Sequence, residues 1–237
     1  MWTRQAAIAR SLARATLLLA LCGCHASADG GPSVPTATIP TPATTPAVSA
    51  VSGSFEGCPP EGTALSEHVR RLNDLKNRNA APSDPDIDHA VTLAALLTPG
   101  DDRTRWDGSK AAEVTGYVFR VKSGGKETTN CGATDPPDED THVELVLSPD
   151  DSSKNRRVIV EVTPRWRAAE QARGVDWSTS ALKAAIEGHW VKVRGWLFFD
   201  VEHKNQSDNT APGNPSDWRA TAWEIHPITS VEVVSPP

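Results

Sequence analysis

Alternating apolar and polar positions predict strands in the second half of the chain. Three segments carry the pattern: Glu113–Lys122, His142–Ser148 and Val158–Thr163. In the second of these, one face carries Val143, Leu145 and Leu147, and the other carries His142, Glu144 and Val146. Period-two patterns rich in β-branched residues are typical of strands with a buried face. We therefore predict three consecutive strands.

A helical region and two further strands follow. Arg165–Arg173 and Ser180–Glu187 have helical character, and Trp190–Phe199 is a long apolar strand pattern. Residues 219–226 predict a fifth strand, with a turn at Pro227 and a short terminal strand after it. Three strands, a helical connection and two strands is the order of the OB-fold, a five-stranded Greek-key barrel.

The sequence therefore predicts a mainly β, α+β protein with an OB-like barrel over residues 112–237. A different small barrel or a sandwich with a helix on one side is the alternative. Residues 55–111 are predicted to be an N-terminal helical extension that covers the barrel. Its helix carries a stripe at helical spacing, which we expect to be buried; the stripe residues are Leu65, Val69, Leu72 and Leu75.

Residues 1–23 have the pattern of a bacterial export signal. Three arginines precede the apolar run Ala15–Gly23, which is shorter than the ~20 residues of a membrane-spanning helix. The run ends in Leu-Cys-Gly-Cys, which resembles a lipobox; the resemblance implies cleavage before Cys24 and attachment of lipid, palmitate included, to this residue. We expect an anchored protein of the bacterial cell envelope, on the periplasmic side of the outer membrane.

The composition separates a tether from the folded part and bears on the class of partner. Residues 24–54 are rich in Pro, Thr, Ala and Ser and are predicted to be a disordered tether.

The chain has 24 basic and 30 acidic residues, a formal net charge of −6. Binding of nucleic acid through its phosphates needs basic patches, so a nucleic-acid partner is not expected.

Cys58 and Cys131 are the cysteines that remain when the signal is removed and Cys24 carries lipid. Export to an oxidising compartment favours a disulfide between them. Two free thiols are the alternative. A zinc site is disfavoured because neither cysteine has a CxxC partner or a nearby histidine.

Candidate ligand-binding residues lie in two acidic loops. The first acidic loop, residues 122–141, and the second acidic loop, residues 200–218, each have a formal charge of −3. In an OB-fold these connections border the ligand site, and negative loops favour a cation, a basic partner or a sugar over an anion. The ligand-binding candidates are Glu127, Asp138, Asp140, His142 and Glu202. The alternative is that the charges only keep an exported protein soluble.

Carboxylates and imidazoles at the ends of the last two strands form a second candidate site. This set can bind a divalent metal or act as general acid and base. The catalytic candidates are Asp200, His203, Glu224 and His226, and the metal candidates are Asp200, His203 and His226. No organic cofactor is expected, and a divalent cation is the open alternative. Polar residues at period two also occur on solvated outer faces of sheets.

Several stretches resemble a group of uncharacterised bacterial secreted proteins. They are LKNR (Leu75–Arg78), VIVEVTPRWR (Val158–Arg167), GHWVKVRGWLFFDVEH (Gly188–His203) and WEIHPITSVEV (Trp223–Val233). The resemblance implies a shared lipoprotein domain with an OB-like fold and a C-terminal WEIHPI motif, and it implies no activity.

These features favour a non-enzymatic binding module that engages an envelope protein, a glycan or a cation through its acidic loops. Signatures of common enzymes, such as GxSxG, GxGxxG and HExxH, are absent from the sequence. A metal-dependent hydrolase and a structural envelope protein are the two alternatives.

Overall fold

The structure, a computed structural model, describes residues 55–237; the predicted export signal, the predicted lipidation site Cys24 and the predicted tether lie outside this range. The strands are β1 (Ala111–Ser123), β2 (Thr141–Val146), β3 (Val158–Val162), β4 (Trp190–Phe199) and β5 (Trp223–Val233). The α-helices are α1 (Glu67–Lys76), α2 (Leu93–Leu96), α3 (Pro164–Gln171) and α4 (Thr179–Ile186). None of the described helices has the length and apolar character needed to cross a bilayer.

The five strands close into a barrel in the order β1-β2-β3-β5-β4. The β3–β5 pair is parallel and the other four pairs are antiparallel. Inward-facing apolar residues from every strand fill the interior; examples are Val114, Val143, Val160, Val193 and Ile225. The closed five-stranded barrel with a few helices confirms the predicted α+β class and is consistent with an OB-like barrel.

The last strand differs from its prediction. β5 runs as one strand through Pro227, so the predicted turn at this residue is wrong. Proline lacks an N–H for the ladder, and the β4–β5 register shifts on both sides of Gly195 to accommodate it. The approach is close, since a Cβ at Gly195 would lie 2.3 Å from the carbonyl oxygen of Pro227. Glycine at this position therefore lets β5 remain continuous.

The N-terminal extension covers part of the barrel, as predicted, but the buried side of α1 is polar. The residues of α1 that are buried are Asn73 and Lys76. Leu65 lies outside the helix and is fully exposed, and Leu75 is 40% exposed. The expectation of a buried leucine stripe is therefore wrong. The reason is that this side of α1 lies against polar groups of the first acidic loop, including Thr128 and Glu127.

A disulfide between Cys58 and Cys131 joins the segment before α1 to the first acidic loop, with 5.8 Å between the two Cα atoms. It confirms the predicted pairing. Asn77 reinforces the same junction by donating hydrogen bonds to the carbonyl oxygens of Pro60 and Thr129. The extension is thus attached covalently and by hydrogen bonds to one rim of the barrel.

Candidate functional site

Polar residues on the outer face of β2, β3 and β5 are buried. His142 pairs with Glu161 in the β2–β3 register, and Ile159 pairs with Glu224 in the β3–β5 register. Glu161 therefore lies beside His226. All four polar residues are at most 6% exposed. Polar residues at every second position usually mark a sheet face that is exposed to solvent. In this structure other parts of the chain cover that face.

Lys76, at the end of α1, interacts with charged residues of both acidic loops. Its ammonium group, 3% exposed, lies 2.8 Å from the carboxylate of Glu127 in the first acidic loop. Burial lowers the pKa of Lys76, but the charges of Glu127 and of Asp200 in the second acidic loop outweigh this effect and raise it. The ring of Phe198 lies 5.6 Å below the ammonium group. A cation of the chain's own thus pairs with the first acidic loop and is stabilised by a charge of the second.

The groups around Lys76 form what we call the buried charge cluster. It contains five carboxylates, two fixed cations and three imidazoles, which are Glu127, Asp140, Glu161, Asp200, Glu224, Lys76, Arg219, His142, His203 and His226. With neutral imidazoles the cluster would have a formal charge of −3. Buried charge needs compensation. Arg167 acts on Asp140 and supplies part of it, and protonated histidines or an additional cation can supply the rest.

Among the described residues, one group of three side chains could hold a metal ion: Asp140, Glu161 and His226. Each offers one ligand atom, and these atoms all lie within 4.8 Å of one another. His226 Nε2 lies 3.7 Å from Asp140 Oδ2, and His226 Nδ1 lies 3.6 Å from Glu161 Oε2. These separations exceed a hydrogen bond. The three residues come from the end of the first acidic loop, from β3 and from β5.

Burial and neighbouring charges shift the pKa values of all three residues in this group. Burial lowers the pKa of His226, but Glu161, Glu224 and Asp140 together raise it to about 9. Burial raises the pKa of Asp140 to about 6, against the opposing effect of His226. Burial also opposes ionisation of Glu161, but His142 and His226 hold its pKa below the usual range. A charged His226 can therefore compensate the carboxylates when no other cation is bound.

The catalytic candidates separate into two pairs with Arg219 between them. The Arg219 guanidinium lies 2.6 Å from Glu224 Oε1 and 3.6 Å from Asp200 Oδ2. His203 Nδ1 hydrogen-bonds Asp200 Oδ2, and His226 Nδ1 lies 3.3 Å from Glu224 Oε2. Arg219 thus occupies the space where a metal shared by the two carboxylates would lie. Of the three metal candidates, only His226 belongs to the group of three.

The remaining ligand-binding candidates lie at different places. Asp140 and His142 are buried in the cluster, and Glu127 is at its edge. Asp138 is half-buried in the 3-10 turn Pro136–Asp138, and Glu202 is exposed. The structure thus places three of the five ligand-binding candidates in the buried charge cluster or at its edge.

Sequence reasoning missed Lys76 and Arg219 and did not include Glu161 among the site residues. Two signals were present. Glu161 is a charged residue within the valine-rich strand pattern VIVEV, where burial on both faces would need a partner for the charge. Lys76 follows Val69 and Leu72 at helical spacing, so it continues the stripe that was expected to face the barrel. Arg219 gave no comparable signal.

The paired His203 should make stability depend on pH. The hydrogen bond to Asp200 raises the pKa of His203 above its ordinary value despite burial. Its contribution is therefore fully present below about pH 6.5 and is lost as the pH rises through the raised pKa. We expect His203→Gln to lower the urea midpoint most at pH 5–6, with a smaller difference at higher pH. In an Asp200→Asn background this pH-dependent difference should vanish; its persistence would contradict the pairing.

The chain matches no known protein-family model and no curated protein sequence. The group suggested by the WEIHPI motif therefore stays a prediction, and the chemistry of the site rests on its geometry.

Proposed function

We propose that this chain is a non-enzymatic, lipid-anchored module of the bacterial cell envelope that binds a cation between its two acidic loops. The observation that carries the proposal is the position of Lys76. This ammonium group is buried beside Glu127 and within the field of Asp200, one residue from each loop. One residue of each loop thus acts electrostatically on a cation of the chain, and the cluster retains more carboxylates than fixed positive charges.

The covered barrel face favours a cation over a polymer. OB-folds bind oligonucleotides and oligosaccharides on the face of their second and third strands and on the two adjoining loops. Here His142 and Glu161, on that face, are 6% and 2% exposed. A glycan or protein chain would have to displace the extension, which the Cys58–Cys131 disulfide fastens. A small ion needs no such displacement.

Thermal unfolding in the presence of different ligands tests this function. We expect a divalent cation to raise the melting temperature of the exported chain carrying Cys24→Ser, which removes the lipid acceptor. A ligand at 100 times its Kd stabilises by about 2.7 kcal/mol, roughly 5–10 °C for a domain of this size. Sodium chloride at matched ionic strength is the control.

Three results would contradict the proposal. If no divalent cation shifts the transition while a soluble glycan or a basic peptide does, the module binds a polymer. If hydrolysis of an ester or phosphodiester substrate depends on added metal and is lost in His226→Gln, the protein is the alternative metal-dependent hydrolase. Stabilisation by none of these ligands would favour the structural alternative.

A further inference from the structure

Three buried side chains present polar atoms that have no hydrogen-bond partner among the described residues. The atoms are both carboxylate oxygens of Asp140, Oε2 of Glu161 and Nε2 of His226. The three residues are 1%, 2% and 0% exposed. Buried polar groups without partners are costly. Such atoms also occur at other described residues, Asp102 and Asp217 among them, but these four belong to side chains that lie within ligand distance of one another. We propose that Asp140, Glu161 and His226 bind one divalent first-row transition-metal ion, a proposal that rests on the cation-binding function above.

Neighbouring residues already hold the ligands in the orientation that a metal requires. His226 Nδ1 hydrogen-bonds Glu224 Oε2 at 3.3 Å, which leaves Nε2 as the free ring nitrogen. Glu224 is itself held by Arg219 at 2.6 Å. Metal-binding histidines usually donate their other N–H to a carboxylate in this way.

Glu161 is oriented by a second partner. Its Oε1 lies 2.9 Å from His142 Nε2, so this oxygen is occupied and Oε2 is left open. His142 therefore positions the carboxylate and does not belong to the ligand set. Each of the two barrel ligands thus has one atom held by a neighbour, and the other Glu161 oxygen, Oε2, lies 3.6 Å from His226 Nδ1.

The donor set favours a transition metal over calcium or magnesium. Metal–ligand bonds of about 2.0–2.2 Å place two ligand atoms about 3–3.5 Å apart, close to the 3.7 Å between His226 Nε2 and Asp140 Oδ2. Two carboxylates neutralise a divalent ion, and the imidazole nitrogen suits zinc and its neighbours. Calcium takes six to eight oxygen ligands, and magnesium retains several waters. Zn²⁺ is therefore the appropriate probe.

The burial of the three ligands indicates a closed site. Structural metal sites are closed, whereas catalytic ones keep a position open for water or substrate. Asp140, Glu161 and His226 are too deeply buried for a substrate to reach without displacement of the covering extension. The ion would join the first acidic loop to two strands of the barrel.

Titration calorimetry with Zn²⁺ on the chain carrying Cys24→Ser tests the inference. We expect one Zn²⁺ per wild-type chain and an affinity roughly 100-fold lower or worse in Asp140→Asn and in His226→Gln. Asp140→Asn keeps the size of the side chain and removes a carboxylate that has no hydrogen-bond partner, so we expect this variant to fold. Glu113→Gln, a change at an exposed acid of β1 outside both acidic loops, is the matched control and should leave the affinity unchanged.

The outcomes separate this inference from the proposed function. If Zn²⁺ binds and Asp140→Asn binds it equally well, the site is elsewhere and only this inference is overturned. If no divalent cation binds the wild-type chain, both fail. Zinc-edge X-ray absorption of the wild-type complex gives an independent result: one imidazole among oxygen ligands supports the site, and two imidazoles or none overturn it.

Discussion

Replacing Lys76 by methionine is expected to lower the free energy of unfolding by about 3–5 kcal/mol. Removing one partner of a buried ion pair leaves the opposite charge uncompensated, which is strongly destabilising. Lys76 is 3% exposed, and besides Glu127 it faces the charges of Asp200, Glu161 and Glu224. Urea denaturation at pH 7 with linear extrapolation measures the change.

Arg71→Met is the matched control for this variant. Arg71 lies on the same helix and pairs with Glu67, but both side chains are mostly exposed. Exposed pairs of this kind contribute about 0.3–0.5 kcal/mol. A loss of less than about 1 kcal/mol in Lys76→Met would mean that the cluster is balanced without its buried ammonium group.

Removing the disulfide through Cys58→Ala and Cys131→Ala together is expected to cost about 4 kcal/mol. The bridge closes a loop with a sequence separation of 73 residues. In the chain-entropy model, a cross-link over such a loop stabilises mainly by restricting the unfolded chain. The measurement is again urea denaturation of the oxidised wild-type chain and the double variant.

Cys24→Ser provides the reference for the disulfide because it leaves both bridged cysteines in place. It should show the unfolding free energy of the wild-type sequence. A double variant as stable as this reference would show that the hydrogen bonds of Asn77 and the Lys76–Glu127 pair suffice to hold the extension on the barrel.

The local sequence pattern was sufficient to predict the barrel, because each strand can be recognised from its own apolar positions. The alternation in β2 and the valines of β3 identify an inward face without knowledge of the neighbours. The prediction of the fifth strand was wrong at Pro227, where the local preference of proline indicates a turn. The strand continues there because a bulge opposite Gly195 accommodates the proline, and this depends on a contact between two strands.

The site could be predicted only in part because its members are distant in sequence. His226 and Asp140 were recognised as candidates, but their contact depends on where the first acidic loop ends relative to β5. Grouping His226 with Asp200 and His203 ignored Arg219, whose guanidinium lies beside Asp200 and Glu224. Lys76 is placed by the packing of α1, which the leucines in its sequence did not predict. The residue types of the site were visible in the sequence. Which of these side chains contact one another depends on the closed barrel.

The most direct test of a cation held by Asp140, Glu161 and His226 is an anomalous difference map from crystals of the chain grown with one equivalent of Zn²⁺. We predict a single strong peak at the zinc edge, within about 2.3 Å of Asp140, Glu161 and His226. Peaks confined to exposed residues, or no peak at all while these three side chains keep the arrangement described above, would contradict the account.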